Sequence, residues 1–295
     1  MANVAFIGLG VMGLAMSKNI VSAGHNVTGY DVSKQAMDAL VAHGGTSASS
    51  AADAATGANF VITMLPNGDV VREAIFGKDG AVQTMDSSAI LIDTSTIHPL
   101  QTDAIRKDLK AAGISMVDAA VGRTSTQAVS GQCLFMVGAE GPDLEAARPI
   151  LNCMGDTIVD CGGPGMGSRM KIVNNLMTTT LNVLTAEVLT FSDAVGLNRD
   201  TAIDVMRGTP AVQSHMTTTY PVRVLKGDLS AAFMIDLATK DLGIALDLSE
   251  DLDIDLSMGK SAKVVYAEAQ SKDRGTQDWT AVYDMLREKY GLKTQ

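Results

Sequence analysis

Two groups of residues in this chain have types and spacing suited to chemistry. Lys171, Asn174 and Asn175 follow the glycine-rich stretch Gly162-Gly163-Pro164-Gly165-Met166-Gly167 and lie in a helical pattern. Lys171 and Asn175 are one helical turn apart, so they share a face, with Asn174 beside them. A lysine in a cleft can donate a proton to a carbonyl oxygen while hydride arrives at the carbon. Its charge also stabilises the alkoxide as it forms. A neutral amide such as Asn175 can hold that oxygen, or the ammonium, without competing for the proton. An ordinary exposed lysine at a helix start has the same local pattern. The Asn pair within an otherwise apolar helix argues for more, because buried amides need partners. Lys171 and Asn175 are therefore the candidate catalytic pair.

The second group points to a source of hydride. Val4-Ala5-Phe6-Ile7 reads as a short apolar strand running into Gly8-Leu9-Gly10-Val11-Met12-Gly13. A helical stretch follows, then a second strand-like run that ends at Asp31. This is a compact β-α-β unit with an acid about 20 residues past the glycines. Gly8 permits the tight turn, Gly10 lets the backbone approach a pyrophosphate, and Gly13 lets helix and strand pack closely. The helix start aims free N–H groups at the phosphates. Gly8, Leu9, Gly10, Val11, Met12 and Gly13 are the expected cradle of a dinucleotide. Asp31 would accept from ribose hydroxyls and repel a 2′-phosphate, so NADH is expected over NADPH, with Lys34 the one residue that softens the choice. A glycine turn without a nucleotide is the bland alternative, and it is disfavoured by having every part in register.

Composition narrows the class. The net charge of −10 argues against nucleic acid as a partner. The three cysteines are an odd number without metal-ligand spacing, and the four histidines make no zinc pattern, so no metal is expected. The apolar run at the N-terminus has no basic region before it, so it reads as a strand and not a signal peptide, and a cytoplasmic location is expected. Between Lys171 and Asp193 the only charge is Glu187. The length would span a bilayer, but the Asn and Thr content, including Thr178-Thr179-Thr180, favours a buried helix and no membrane.

A chain of 295 residues permits two domains. Strand-like runs at 59–65, 89–93, 115–118 and 134–137 alternate with helical patterns at 34–42, 69–76 and 100–112. That alternation predicts an α/β fold, a Rossmann-type, doubly wound, mostly parallel sheet. After about Cys161 only helical spacing remains, broken at Gly196, Gly208-Thr209-Pro210, Gly227-Asp228 and Gly275. The expected organisation is an NAD-binding domain over 1–163 and an all-helical domain over 164–295 for substrate and self-association. Ligands bind at the carboxyl ends of parallel strands. Met64, Leu65 and Pro66 at one strand end, and Thr96 at another, are candidates to line the nicotinamide half of the cofactor, against the alternative of plain N-capped turns. Arg123, in Val121-Gly122-Arg123-Thr124-Ser125, follows the run 115–118 and is expected on the same rim. Its rigid donor fork suits an anionic oxygen pair, and Thr124 and Ser125 add hydroxyls. A surface loop arginine is the alternative.

In this order, the stretches resemble the β-hydroxyacid dehydrogenase family over essentially the full chain. Phe6 to Gly13, Asp93-Thr94-Ser95-Thr96, Gly162 to Gly167 with Lys171 and Asn175, and Lys240-Asp241-Leu242 carry the resemblance. It implies a Rossmann domain, a long interdomain helix, a helical domain, and dimers or tetramers. It also implies Lys171 as the acid/base, Asn175 as its partner, Lys240 near the nicotinamide and Phe233 closing over the cofactor. One departure matters. Most members carry a Ser-Gly-Gly-type stretch after Val121, which binds a carboxylate through backbone groups; here Gly122-Arg123-Thr124-Ser125 stands instead. That variant, with Gln277-Asp278-Trp279 and Phe233-Met234-Ile235-Asp236-Leu237, resembles a branch acting on sulfonated aldehydes. It implies reduction of 3-sulfolactaldehyde by NADH to 2,3-dihydroxypropane-1-sulfonate. A sulfonate is tetrahedral and permanently ionised. Arg123, Gly122, Thr124, Asn174 and Thr178 are its expected contacts. Two alternatives stay open: a short carboxylated aldehyde or hydroxyacid as substrate, and a non-catalytic NAD-binding module, which the absence of a basic helix disfavours.

Overall fold

The computed structural model describes residues 1–194, 196–208, 215–251 and 256–292. Thr209 and Pro210, named above as part of a break, lie outside these residues. The chain divides into two compact units, Met1–Lys171 and Ile172–Gln295. The sheet strands are β1 (Asn3–Ile7), β2 (Asn26–Tyr30), β3 (Thr46–Ser47), β4 (Phe60–Thr63), β5 (Ile90–Asp93), β6 (Ser115–Gly122), β7 (Cys133–Gly138) and β8 (Gly155–Asp160). The helices of the first unit are α1 (Val11–Ser22), α2 (Lys34–Val41), α3 (Ala51–Ala55), α4 (Gly68–Phe76), α5 (Pro99–Ala111), α6 (Ser125–Val129) and α7 (Gly141–Met154). Helix α8 (Met166–Ala194) begins in the first unit and continues into the second.

Strands in a covered parallel sheet are apolar on both faces. Val4 and Phe6 of β1 face a core shared with Met16 and Ile20 of α1 and Ile150 and Leu151 of α7. Ala5 and Ile7 face a second core with Ile75 of α4 and Ile105 and Leu109 of α5. The strand order is β3-β2-β1-β4-β5-β6-β7-β8. The order reverses between β1 and β4, which puts the switch-point crevice beside the glycine turn after β1. Register aligns the strand ends in one row: Tyr30 with Ile7, Ile7 with Thr63, Thr63 with Asp93, and Asp93 with Asp118. Loops leave this row through capped helices. The Ser33 side chain accepts from Ala36 N, and Asn67 Oδ1 accepts from Val70 N at 2.9 Å.

One sequence expectation, the place of Arg123 on the rim, needs correction. The run at 134–137 is a strand, and β7 pairs antiparallel with β6, so the sheet is mostly parallel as expected, parallel everywhere except there. That pairing also extends β6 beyond Asp118 to Gly122. Arg123 therefore leaves the sheet about four residues, or ~13 Å, past the row of strand ends, not on it. The unit boundary falls at Lys171, inside α8, because the first turns of that helix are bonded to the sheet.

The second unit holds the rest of α8 with α9 (Arg199–Arg207), α10 (His215–Thr218), α11 (Ile235–Asp251), α12 (Ser257–Ser271) and α13 (Ala281–Lys289). Its core gathers Tyr220, Ile235, Leu242, Tyr266, Trp279 and Tyr283. Asn182 of α8 is buried here, donating to Tyr266 Oη at 2.9 Å and to the Trp279 carbonyl at 2.8 Å. Such partners explain how α8 carries amides through an apolar interior. Among the described residues no helix is long and apolar enough to cross a membrane.

Gly13 is the tightest point of the β1–α1 turn. A Cβ there would lie 1.9 Å from the Gly8 carbonyl oxygen and 3.1 Å from the Phe6 ring. The clash is with backbone, so it outweighs the gain of about 1 kcal/mol from replacing a helical glycine. Gly13→Ala is expected to destabilise the protein by about 1–3 kcal/mol in a urea titration. Unchanged stability would contradict the close packing described.

Candidate active site

The first unit offers a cradle at the switch point. Gly8 has φ +96°, and a Cβ on it would sit 2.3 Å from the Met64 carbonyl oxygen and 2.9 Å from Leu65 Cδ2. The glycine turn and the Met64-Leu65-Pro66 turn after β4 are thus brought together. Gly10 differs: nothing lies within 4 Å of its Cβ position, and it starts α1 with no side-chain cap. An open backbone approach and uncapped helix N–H groups fit a bound pyrophosphate. Leu9 N donates to Asp31 Oδ2 at 2.6 Å, and Ser33 N to Asp31 Oδ1 at 2.7 Å. The Asp31 carboxylate is held by these bonds at the end of β2, and each oxygen retains a lone pair for a ribose hydroxyl. These features fit NAD. Val11 and Met12 continue into α1, and Thr96 lies in the turn between β5 and α5. That turn is pinned by Ser95, whose Oγ accepts from Leu65 N at 2.9 Å.

Two buried carboxylates lie below these turns, and the sequence reading passed over both as site residues. Asp93 Oδ1 accepts from Thr63 Oγ1 at 2.9 Å and from Ser95 N at 3.0 Å. Asp118 Oδ1 accepts from Gly165 N at 2.6 Å, and its Oδ2 from Ser168 N at 2.9 Å. Burial pushes Asp118 up to about 7, opposed by the Ser168 and Gly165 N–H bonds and reinforced by the neighbouring Asp93. Burial pushes Asp93 upward as well, against its Ser95 and Thr63 bonds. The signal was available: an acid inside the apolar run Met116-Val117-Asp118-Ala119-Ala120 must have partners.

Arg123 follows Gly122 at the end of β6 with φ +71°, a left-handed conformation unusual for a side-chain-bearing residue. Its guanidinium holds that turn. Nη1 donates to Gln132 O and to Asp156 Oδ1, both at 2.6 Å, and Nη2 to Thr157 Oγ1 at 2.9 Å. Thr124 N and Oγ1 donate to Gln127 Oε1 at 3.2 and 2.5 Å. Much of the donor capacity expected to face an anion is therefore engaged within the first unit. The Nε–H and one Nη2–H of Arg123 lie outside these bonds.

Lys171 sits in the second turn of α8, four residues after Gly167. In the second unit Asn175 is buried, and its Nδ2 donates to Asp241 Oδ2 at 2.5 Å. Asn174 Nδ2 donates to Asn175 Oδ1 at 3.3 Å, and Lys240 Nζ lies 3.0 Å from Asp241 Oδ1. The structure thus joins Asn174, Asn175 and Lys240 through Asp241, a residue quoted within Lys240-Asp241-Leu242 but given no role. A carboxylate on Nδ2 fixes the amide's orientation and leaves its Oδ1 as the acceptor, here of Asn174 Nδ2. The Thr178 hydroxyl donates to Asn174 O at 2.8 Å, so it offers lone pairs in this arrangement. Phe233 packs edge-on against Trp279 with ring centroids 5.1 Å apart.

Two outcomes follow. Gly10→Ala is expected to weaken NADH binding about tenfold or more while costing under about 1 kcal/mol of stability; equal affinity in a fluorescence titration would remove Gly10 from the cradle. Asp118 binds its proton more tightly folded than unfolded. Its contribution to stability is present below the ordinary carboxyl value of 3.8 and lost as pH rises through about 7. Wild type should lose thermal stability relative to Asp118→Asn over that range. A constant difference between their melting temperatures would contradict the burial of Asp118.

Comparison with known proteins identifies the family. Residues 3–163 match the model for the NAD binding domain of 6-phosphogluconate dehydrogenase, and residues 165–286 match that for NAD-binding of NADP-dependent 3-hydroxyisobutyrate dehydrogenase. The chain is 47% identical over 292 residues to 3-sulfolactaldehyde reductase of Escherichia coli (strain K12), covering 99% of this chain and 98% of that one. It is 32% identical over 292 residues to the NAD-dependent L-serine dehydrogenase of Pseudomonas aeruginosa, covering 97% and 98%. A solved structure of Mycobacterium tuberculosis 3-hydroxyisobutyrate dehydrogenase with L-serine superposes with a TM-score of 0.91 at 32% identity, covering 97% and 99%. The chain belongs to the 3-hydroxyisobutyrate dehydrogenase-like family of β-hydroxyacid dehydrogenases, NAD-dependent oxidoreductases acting on a CH–OH group.

Proposed function

We propose that this enzyme uses NADH to reduce 3-sulfolactaldehyde to 2,3-dihydroxypropane-1-sulfonate, a step in sulfoquinovose degradation. The full-length likeness to 3-sulfolactaldehyde reductase, at 47% identity, carries the reading. Bound NADH supplies hydride to the aldehyde carbon. Lys171 donates the proton to the aldehyde oxygen and takes another from solvent. Asn175, fixed by Asp241, is the partner of that ammonium. Lys240 and Phe233 contact the nicotinamide half.

The choice of NADH rests on Asp31. Lys34, the residue that softens this choice, is turned along α2, with Nζ 2.6 and 2.8 Å from the Asp38 carboxylate. The sulfonate is held by the remaining Arg123 edge, Nε–H with Nη2–H, together with Gly122, Thr124, Asn174 and Thr178. Asp156 and Thr157 keep that edge oriented. Val173, Met177 and Leu184 form an exposed apolar stripe on α8, which fits self-association into a dimer or tetramer. A carboxylated substrate is the second reading, favoured by the 32% likeness to serine and 3-hydroxyisobutyrate dehydrogenases.

The test follows NADH oxidation with 3-sulfolactaldehyde and succinic semialdehyde side by side. The expected kcat/KM ratio favours the sulfonate by about tenfold or more, at least 1.4 kcal/mol of discrimination. Preference for the carboxylate would overturn the substrate assignment and leave the Lys171 chemistry standing. Lys171→Met is expected to lower kcat by about 10²–10⁴-fold with NADH affinity retained. Near-normal turnover in that variant would remove Lys171 as the proton donor.

A further inference from the structure

We infer that Asp118 is a positioning residue for the reaction, its carboxylate fixing the start of α8 and thereby the place of Lys171. The inference rests on Lys171 being the proton donor. It begins with a requirement of helix ends: the first N–H groups of a helix have no partner within it. At α8 Met166 N donates to Gly163 O of the turn, but for Gly165 N and Ser168 N the acceptor comes from neither the turn nor the helix. It comes from β6, 47 residues earlier for Gly165 N and 50 for Ser168 N. One carboxylate thus takes one bond from the glycine turn and one from the first turn of the helix. Lys171 follows Ser168 by three residues, so it is carried by the turn that Asp118 holds.

Steric contact makes the same joint rigid. A Cβ on Gly138 of β7 would lie 2.6 Å from both Gly167 N and Met166 N, and 2.8 Å from Asp118 Oδ2. A Cβ on Gly167 would lie 2.4 Å from the Met136 carbonyl oxygen and 2.7 Å from that of Asp118. Backbone therefore meets backbone, with the carboxylate filling the gap. A third tie runs alongside, where Arg169 donates to Asp103 Oδ2 at 2.7 Å and to Gly165 O at 3.0 Å. Asp118 stands beside Asp93 in register, and Asp93 pins the turn after β5 through Ser95 N. The two acids fix the turn carrying Thr96 and the helix carrying Lys171 relative to the same sheet. Proton transfer is steep in distance, and a misplacement of about 1 Å costs on the order of 10²-fold.

Asp118→Asn is the discriminating variant. It is isosteric and removes a buried charge, which offsets the lost bond, so folding is retained. It keeps one acceptor oxygen and turns an amide N–H₂ against the other backbone N–H, so one tie is lost. The expected result is a fall in kcat of about tenfold, a shift in the limb of the kcat–pH profile set by the proton donor, and NADH affinity within about twofold of wild type. Gly167→Ala reaches the joint by a second route and is expected to lower kcat in the same way. Wild-type kcat and pH profile in both variants, with Lys171→Met inactive, would overturn the role of Asp118. An active Lys171→Met would instead remove the proton donor, and the positioning role with it.

Discussion

Strands of a parallel sheet stop together, and at their carboxyl ends the backbone N–H groups of the turns that follow need acceptors. In this molecule aspartates placed at those ends supply them. Asp31 takes Leu9 N and Ser33 N, Asp93 takes Ser95 N, and Asp118 takes Gly165 N and Ser168 N. Each ties a turn to a neighbouring strand end. The glycine turn, the turn with Thr96 and the start of α8 are thereby set on one sheet edge. Burying carboxylates is costly unless their oxygens are bonded, and the upward displacement of Asp93 and Asp118 records that cost.

The same constraint accounts for where glycine appears. Gly8, Gly13, Gly138 and Gly167 stand where a Cβ would strike backbone, at the points where turns and helix starts press on the sheet. Gly10 meets nothing and leaves its backbone open. A cradle for phosphates and a rigid mount for a lysine are thus built by the same means, close backbone approach secured by a carboxylate. In the second unit Asp241 repeats the pattern with side-chain donors, orienting Asn175 and standing beside Lys240.

Much of this was legible in the sequence where it depends on local spacing. The β1–turn–α1 unit, the acid at the end of β2 and the long amide-bearing helix could be read because each is a short-range pattern. The antiparallel turn of β7 could not, since the direction of a strand is set by pairing and not by its own residues. Helix α7 carries Pro149 in its interior, which blurs its signal, and β8 after it went unread. The partners of Arg123 were equally hidden: Asp156 and Thr157 are 33 and 34 residues away and meet it only because β8 lies beside β7. Asp118 and Asp241 stood within quoted stretches, yet their roles depend on what folds against them. An acid inside an apolar run was the readable sign.

In the proposed reaction a lysine mounted on α8 delivers the proton while NADH delivers hydride to a sulfonated aldehyde. A crystal structure of the enzyme with NADH and 2,3-dihydroxypropane-1-sulfonate tests it most directly. The product hydroxyl is expected on Lys171 Nζ, with Asn175 still on Asp241 and the sulfonate on Arg123 and Asn174. A product seated with its hydroxyl away from Lys171, or with its sulfonate on other residues, would contradict it.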